Sequence, residues 1–369
     1  MQPLAGVRVL DFSTLLPGPL ATLLLAEAGA EVIKIERPGT GDEMRSYTPK
    51  FGGDSVNFAL LNRSKRSIAI DLKSRDAVSR MKPLIAQTDV IVEQFRPGVM
   101  DRLGLGYADV AALNPRIVYC SITGYGQSGP RAQTAAHDLN YIAEMGMLAL
   151  SAGADGAPVL PPALVADIGG GTYPAVINIL LALRARDLTG RGTKLDVAMT
   201  DNLFTFMYWA LGDGLAADRW PEPGRALVTG GSPRYQIYRA RDDRYVAAAP
   251  LEAKFWQNFC DAIGLPAALR DDARDPQATR AAVAERIRSR SGDEWRAIFS
   301  GKDVCCSVVA SLRDALADPQ VLARRLLERR ITAEGREIAA LPVPIADVFR
   351  SAARSAGYPP LGEANDLLG

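Results

Sequence analysis

The sequence predicts an α/β protein made of a large Rossmann-like domain on a parallel sheet and a smaller α+β domain. Three observations predict it. Over the first 125 residues short β-branched runs alternate with helical patterns, which implies a doubly wound parallel sheet. Residues 213–233, DGLAADRWPEPGRALVTGGSP, are rich in Gly and Pro and read as a linker. Beyond them YQIYRARDDRYVAAAP reads as a hairpin, and the amphipathic EAKFWQNFCDAIGL opens a run of helices.

Taken in order, the strands are VRVLDF (7–12), EVIKIE (31–36), SIAIDL (67–72), DVIVEQF (89–95) and RIVYCSITG (116–124). A helix through LATLLLAEAGA follows the first, and another starts at Arg75. From residue 138 to about 183 the pattern is helical with a break at SAGADGAPVLPP, and KLDVAM (194–199) is one more strand leading into a helix. The hairpin after the linker has Asp242 and Asp243 near its tip, and helices continue to about Arg330. The Pro-studded tail, ALPVPIADVFRSAARSAGYPPLGEANDLL, reads as a segment wrapping back over another surface. The expected boundaries are 1–212 with 335–369 for the large domain, 213–233 for the linker and 234–334 for the small domain.

With 48% hydrophobic and 23% charged residues the chain can bury a sizeable core, which excludes disordered and collagen-like classes. Forty-three basic against 42 acidic residues leave a net charge of +1. No global field attracts a nucleic acid or an anionic membrane, so an anionic ligand needs a local cluster. The four cysteines, Cys120, Cys260, Cys305 and Cys306, lack metal-type spacing, and the last two are adjacent, an awkward geometry for a mutual disulfide. The N-terminus carries no signal-peptide pattern, and PLATLLLAEAGA is too short to span a bilayer; the expected location is the cytoplasm. One histidine, His137, excludes a three-histidine zinc site and any two-histidine mechanism, and no metal is expected.

Basic residues follow strands in ERPGTGD (Arg37), IDLKS (Lys73) and FRPGVMDRLG (Arg96, Arg102). In an open α/β sheet the ligand crevice lies at the carboxyl ends of strands, so a phosphorylated ligand fits that placement; solvated strand-end cations are the plainer account. A dinucleotide fingerprint is missing, because the GLG of residues 104–106 follows a helical DRLG and lacks a third glycine. His137 stands in AAHDLNY after the glycine-dense GYGQSGP, and a lone histidine is more often structural than catalytic. Asp167 precedes three glycines in VADIGGGTYP. It reads either as a helix N-cap or as a carboxylate reaching a cleft, where the glycines let substrate approach and the helix N-terminus keeps the group ionised. Glu252, in AAAPLEAKFW, stands at a strand-to-helix turn where capping is the plainer reading.

Together VRVLDFS, GPLATLLLAEAGAEVIKIERPGTGD, IAIDLKS, TDVIVEQFRPGVMDRLGLGY, IVYCSITGYGQSGP, HDLNY, DIGGG and GGSPRYQIYRARDDRYVAAAPLEAKFW resemble the family III CoA-transferase superfamily, and within it the α-methylacyl-CoA racemases, over nearly the whole chain. The resemblance implies an acyl-CoA thioester substrate, no separate cofactor, and an interlocked homodimer with active sites made from both chains. Arg37, Lys73, Arg96 and Arg102 would face the CoA phosphates, Ile70 and Phe95 would flank the adenine, and the GYGQSGP loop with Tyr125 would lie along the pantetheine. Asp138, in HDLNY, counts among the substrate-binding residues. The racemase histidine, aspartate and glutamate fall on His137, Asp167 and Glu252. The transferase branch uses the aspartate as a nucleophile. In formyl-CoA transferase a GGGGQ loop shields the intermediates; this chain has no GGGGQ, and Leu16 stands at that enzyme's early glutamine position. Both departures favour the racemase.

Racemisation next to a thioester needs two acid/base groups on opposite faces of the carbon, and His137 with Asp167 would supply them. Glu252 would orient His137, of the same chain or of the other, and backbone N–H groups at the DIGGG helix start would hold the enolate oxygen. Met145, Met147, Tyr141 and Trp209 are candidates for the acyl pocket. The alternatives are an acyl-CoA:carboxylate CoA-transferase with Asp167 as nucleophile, a CoA-thioester binding protein without turnover, and a dehydrogenase, the last weakened by the missing fingerprint.

Overall fold

A computed structural model describes residues 1–153 and 155–368. The chain divides into two compact units: residues 1–145, 162–206 and 325–369 form the first, and residues 146–161 and 207–324 the second. The first unit holds a six-stranded, wholly parallel sheet of β1 (Arg8–Asp11), β2 (Glu31–Glu36), β3 (Arg66–Ala69), β4 (Val90–Glu93), β5 (Val118–Thr123) and β6 (Thr193–Ala198). Its order, β3-β2-β1-β4-β5-β6, is that of a Rossmann sheet. The expected α/β class and parallel sheet stand. The β-branched runs are buried on both faces, with Val9, Leu10, Ile33, Val90, Ile91 and Val92 fully excluded from solvent. Helix α1 (Pro17–Glu27) is buried at every residue, which explains its unbroken apolar text, and its prolines sit in the first turn where a missing N–H costs nothing.

In the second unit β7 (Gln236–Arg239) and β8 (Tyr245–Ala248) form the expected hairpin, with Asp243 at φ 65° in its tip. A strand the sequence did not signal, β9 (Cys306–Val308), pairs antiparallel with β8. The helix Ala253–Ile263 buries Trp256, Phe259, Cys260 and Ile263, a spacing of three and four that places one stripe on the core with Trp295 and Phe299. The 213–233 segment is structured at both ends of its text: helix Tyr208–Ala217 runs five residues into it, and a 3₁₀ turn spans Leu227–Thr229.

The tail belongs to the first unit and forms a small sheet of β10 (Arg330–Ala333), β11 (Arg336–Ala339) and β12 (Ser355–Ala356). Its end covers the open edge of β3: Ala364 N–H donates to Ser67 O at 2.9 Å, and Ala69 N–H donates to Asn365 Oδ1 at 2.8 Å. Residues 166–189 make the one helix, among the described residues, whose length and composition could cross a bilayer; half of its apolar window is buried in the protein.

Beneath the carboxyl ends of β1 and β2 lies a buried ionic cluster. Lys34 Nζ meets Asp42 at 2.9 Å and Lys65 Nζ meets Asp11 at 3.1 Å, with all four side chains fully buried. Burial opposes the Asp11 charge, but Lys65 and Lys34 hold its carboxyl well below the usual range. Burial brings Lys65 down to about 8, against the pull of Asp11. Asp11→Asn should therefore strand the buried Lys65 ammonium, Lys34 keeping Asp42, and lower the free energy of urea-induced unfolding by about 3–5 kcal/mol. Unfolding curves matching the native protein would contradict this.

Candidate active site

The sheet order reverses between β1 and β4, and ligands in such sheets bind outside the strand ends at that reversal. Two cavities open there. The first, of about 410 Å³, is walled by Leu15, Leu16 and Pro17 after β1, by Gln94 to Pro97 after β4, and by the segment 122–141 together with Asp167 and Met199. The second, of about 510 Å³, is walled by Phe12, Thr14, Ile35 to Arg37, Asp42, Ile70 to Lys73, Phe95, Val99 and Leu103. Phe95 belongs to both walls.

His137, Asp167, Phe95, Arg96 and Tyr125 therefore meet in the first cavity, and Arg37, Ile70, Lys73 and Phe95 in the second. Arg102 lines neither and is exposed. Asp138 is not a wall residue: it is buried, and its Oδ2 accepts the Asp167 backbone N–H at 2.9 Å, so it positions the loop that carries Asp167. Glu252 lies in the second unit, exposed, at the N-cap of Ala253–Ile263, where its side chain makes no capping hydrogen bond. Of the candidate acyl-pocket groups, Tyr141 lines the first cavity and Met145 does not; Met147 and Trp209 belong to the second unit.

His137 caps helix α2 (Asp138–Glu144), and its backbone N–H donates to Asn140 Oδ1 at 3.0 Å, which leaves an exposed imidazole at the cavity rim. The GYGQSGP loop is tied at two points. Tyr125 Oη donates to Glu144 at 2.5 Å and Gln127 N–H donates to Asp196 at 3.0 Å. Tyr141 Oη holds Ala136 O at 2.9 Å, and the Tyr125 and Tyr141 rings pack edge to face, 5.3 Å apart.

The DIGGG segment departs from expectation. Ala166–Thr172 is a π-helix running into α3 (Tyr173–Thr189), a wide turn frequent at functional sites. A Cβ at Gly170 would lie 2.3 Å from Met199 O, and one at Gly169 would lie 2.5 Å from the Phe206 ring. These glycines serve protein packing, not the approach of substrate. The first backbone donors are also occupied: Asp167 N–H goes to Asp138, and Ile168 N–H goes to Leu164 O at 3.1 Å. Nor does the helix start keep the carboxylate strongly ionised. Burial, followed by the nearby Asp138 charge, pushes the Asp167 carboxyl up to about 6, with His137 opposing.

The chain belongs to CoA-transferase family III, whose model matches residues 4–365. Human succinyl-CoA:glutarate CoA-transferase is 32% identical over 335 residues, covering 87% of this chain and 75% of the relative. Mouse alpha-methylacyl-CoA racemase is 33% identical over 320 residues, covering 85% and 79%. The crystal structure of a CAIB/BAIF family protein from Brucella suis superposes with a TM-score of 0.83 at 28% identity, covering 99% of this chain and 98% of that one. An enzyme of this family is thus defined, with racemases and transferases among its relatives at similar identity.

Sequence reasoning passed over Gln94 and Asn140, both in the first cavity wall. Gln94 directly follows β4, so applying the strand-end rule to uncharged residues finds it.

Folded Asp167 keeps its proton to about pH 6, while the unfolded carboxyl releases it near 3.8, so ionising this group costs the native state stability as pH rises between those values. Asp167→Asn should raise stability at pH 8 by on the order of 2 kcal/mol and leave it nearly unchanged near pH 4. Thermal melts at both pH values would show this, and equal gains at both would contradict it.

Proposed function

We propose that the protein is an α-methylacyl-CoA racemase, interconverting (R)- and (S)-2-methylacyl-CoA thioesters by 1,1-proton transfer through an enolate. The observation that carries this reading is that the lone histidine and a carboxyl raised to about 6 line one cavity. A group that takes a proton from carbon in one direction and returns it in the other must titrate close to working pH. The CoA end would occupy the second cavity, its phosphates against Arg37 and Lys73 and its adenine between Ile70 and Phe95. The acyl thioester would pass Phe95 to reach His137 and Asp167. Binding energy from the CoA end, remote from the reacting carbon, would hold that carbon between the two groups. Leu16 supports the reading, because it makes the wall apolar where formyl-CoA transferase carries a glutamine.

Glu252 would orient the imidazole from a second copy in an interlocked homodimer. A supporting feature is the face of α3 bearing Ile177, Leu180, Leu181 and Leu188, which the single chain leaves exposed. Leu181→Glu should shift the protein to monomers in sedimentation velocity.

The second reading is an acyl-CoA:carboxylate CoA-transferase with Asp167 as nucleophile. Relatives named as CoA-transferases, as similar as the racemases, keep it in view.

Enantiopure 2-methylacyl-CoA incubated with the enzyme in D₂O should gain deuterium at the α-carbon and lose optical rotation together, without a carboxylic acid acceptor. His137→Ala and Asp167→Ala should each slow exchange by at least ~100-fold and retain CoA affinity. Each direction needs the same single proton on the Asp167–His137 pair and the equilibrium between the epimers takes up none, so kcat/KM should fall below about pH 6 with one profile shared by both directions. A hydroxylamine-trapped acyl-enzyme that needs a second carboxylic acid would replace this reading with the transferase.

A further inference from the structure

We infer that Gln94 donates a hydrogen bond through Nε2 to the thioester oxygen as negative charge develops there, which makes it a further catalytic residue of the reaction proposed above, on which this inference rests. Taking the α-proton moves charge onto that oxygen, and a donor fixed in advance at that point is worth more than one that must reorganise. The DIGGG helix start offers little, since the Asp167 and Ile168 amides already have acceptors. Of the other wall groups, Tyr125 Oη donates to Glu144 and Tyr141 Oη donates to Ala136 O, while Thr123 Oγ1 has no hydrogen-bond partner among the described residues but is buried away from the open cavity.

Gln94 differs. Its Oε1 accepts the Gly18 backbone N–H at 3.0 Å, at the start of α1. A carboxamide is planar, with its nitrogen opposite its oxygen, so anchoring the oxygen on the protein leaves the NH₂ as the group that Gln94 presents to the cavity it lines. No described residue accepts from that nitrogen. The backbone of Gln94 is held by the end of β4, and the next residue is Phe95, shared by the two cavities. An acyl-CoA that enters past Phe95 brings its thioester to Gln94. Glycine at position 18 is part of the device, because a Cβ there would lie 2.1 Å from Ser13 Cβ and 3.0 Å from Gln94 Oε1.

Two substitutions test this in the full-length enzyme. Gln94→Glu keeps the length and the acceptor for Gly18 N–H but removes the donor; Gln94→Met removes both and keeps an apolar side chain of similar reach. Both should lower kcat for α-deuterium exchange by about 100-fold or more with KM little changed. In Gln94→Met the acidic limb near pH 6 should persist, because that limb belongs to Asp167. Exchange at the native rate in both variants, or a change confined to KM, would overturn the assignment. So would a silent Gln94→Glu alongside a slow Asn140→Asp, since the donor would then be Asn140. If the native enzyme instead forms a trappable acyl-enzyme without exchange, the racemase reading fails; a matching loss in acylation rate in both variants would keep Gln94 as donor to the tetrahedral oxyanion, and no loss would remove it.

Discussion

The buried pairing of two lysines with two aspartates at the carboxyl ends of β1 and β2 is the constraint on which the site depends. Lys34 Nζ donates to Ser13 O at 2.7 Å, Asp11 accepts Ser13 N–H at 3.0 Å, and Asp42 accepts Leu15 N–H at 3.2 Å. These three contacts fix residues 13–15, and Leu15 is held at φ 62°, a conformation leucine adopts only when its surroundings enforce it. Lys65 extends the same cluster to Thr22, Asn62 and the Pro19 carbonyl, which anchors the first turns of α1. An apolar cluster of the same volume could be at least as stable, because desolvating four charges is expensive. What it could not do is grip backbone N–H and C=O groups in a loop that has no ladder of its own. The loop so held supplies Leu15, Leu16 and Pro17 to one cavity and Thr14 to the other.

Rigidity below the crevice contrasts with strain at its working end. Asp167 sits where burial and Asp138 both oppose its charge, and Asp138 is kept there because its carboxylate holds the Asp167 backbone. One contact therefore does two things: it positions the residue and raises its proton affinity. The π-turn adds to this. Widening the helix at 166–172 lets Gly170 close on Met199 at the end of β6, which draws the start of α3 against the sheet and turns Asp167 toward the crevice. A tighter helix at the same place would change which residue faces the cavity.

The fold was legible because its signals are local. Strands such as VIVE are β-branched and short, and the stripe Trp256, Phe259, Cys260, Ile263 is readable from spacing alone. In the tail's sheet β10 and β11 are a hairpin across Glu334-Gly335 whose short, polar-sided strands give a weak signal, and only β12 is paired by the fold. The same division runs through the site. Arg37, Lys73, His137 and Asp167 are visible as unusual residues after strands or glycines. The part played by Asp138 was hidden, because its partner is a backbone N–H 29 residues away. The glycines of DIGGG were misread for a related reason: what a missing Cβ makes room for cannot be known before Met199 and Phe206 are in place.

The scaffold by itself does not choose between proton transfer and acyl transfer, and the reason is chemical. Both reactions begin with a CoA thioester held against a carboxylate, and both place negative charge on the thioester oxygen. Where they part is the atom that the carboxylate meets. A nucleophile must approach the carbonyl carbon, whereas a base must approach the α-proton, and a second acid/base group must then stand across the α-carbon. In this chain His137 is the only imidazole available for that place, and it shares a wall with Asp167. A carboxyl that holds its proton to about pH 6 is better suited to exchanging one with carbon than to forming an anhydride, for which persistent ionisation is the advantage. Apolar Leu16 at the same wall points the same way, since a proton moved between carbon and carboxylate is best kept from water, while an acyl intermediate needs polar groups to guide the incoming acid.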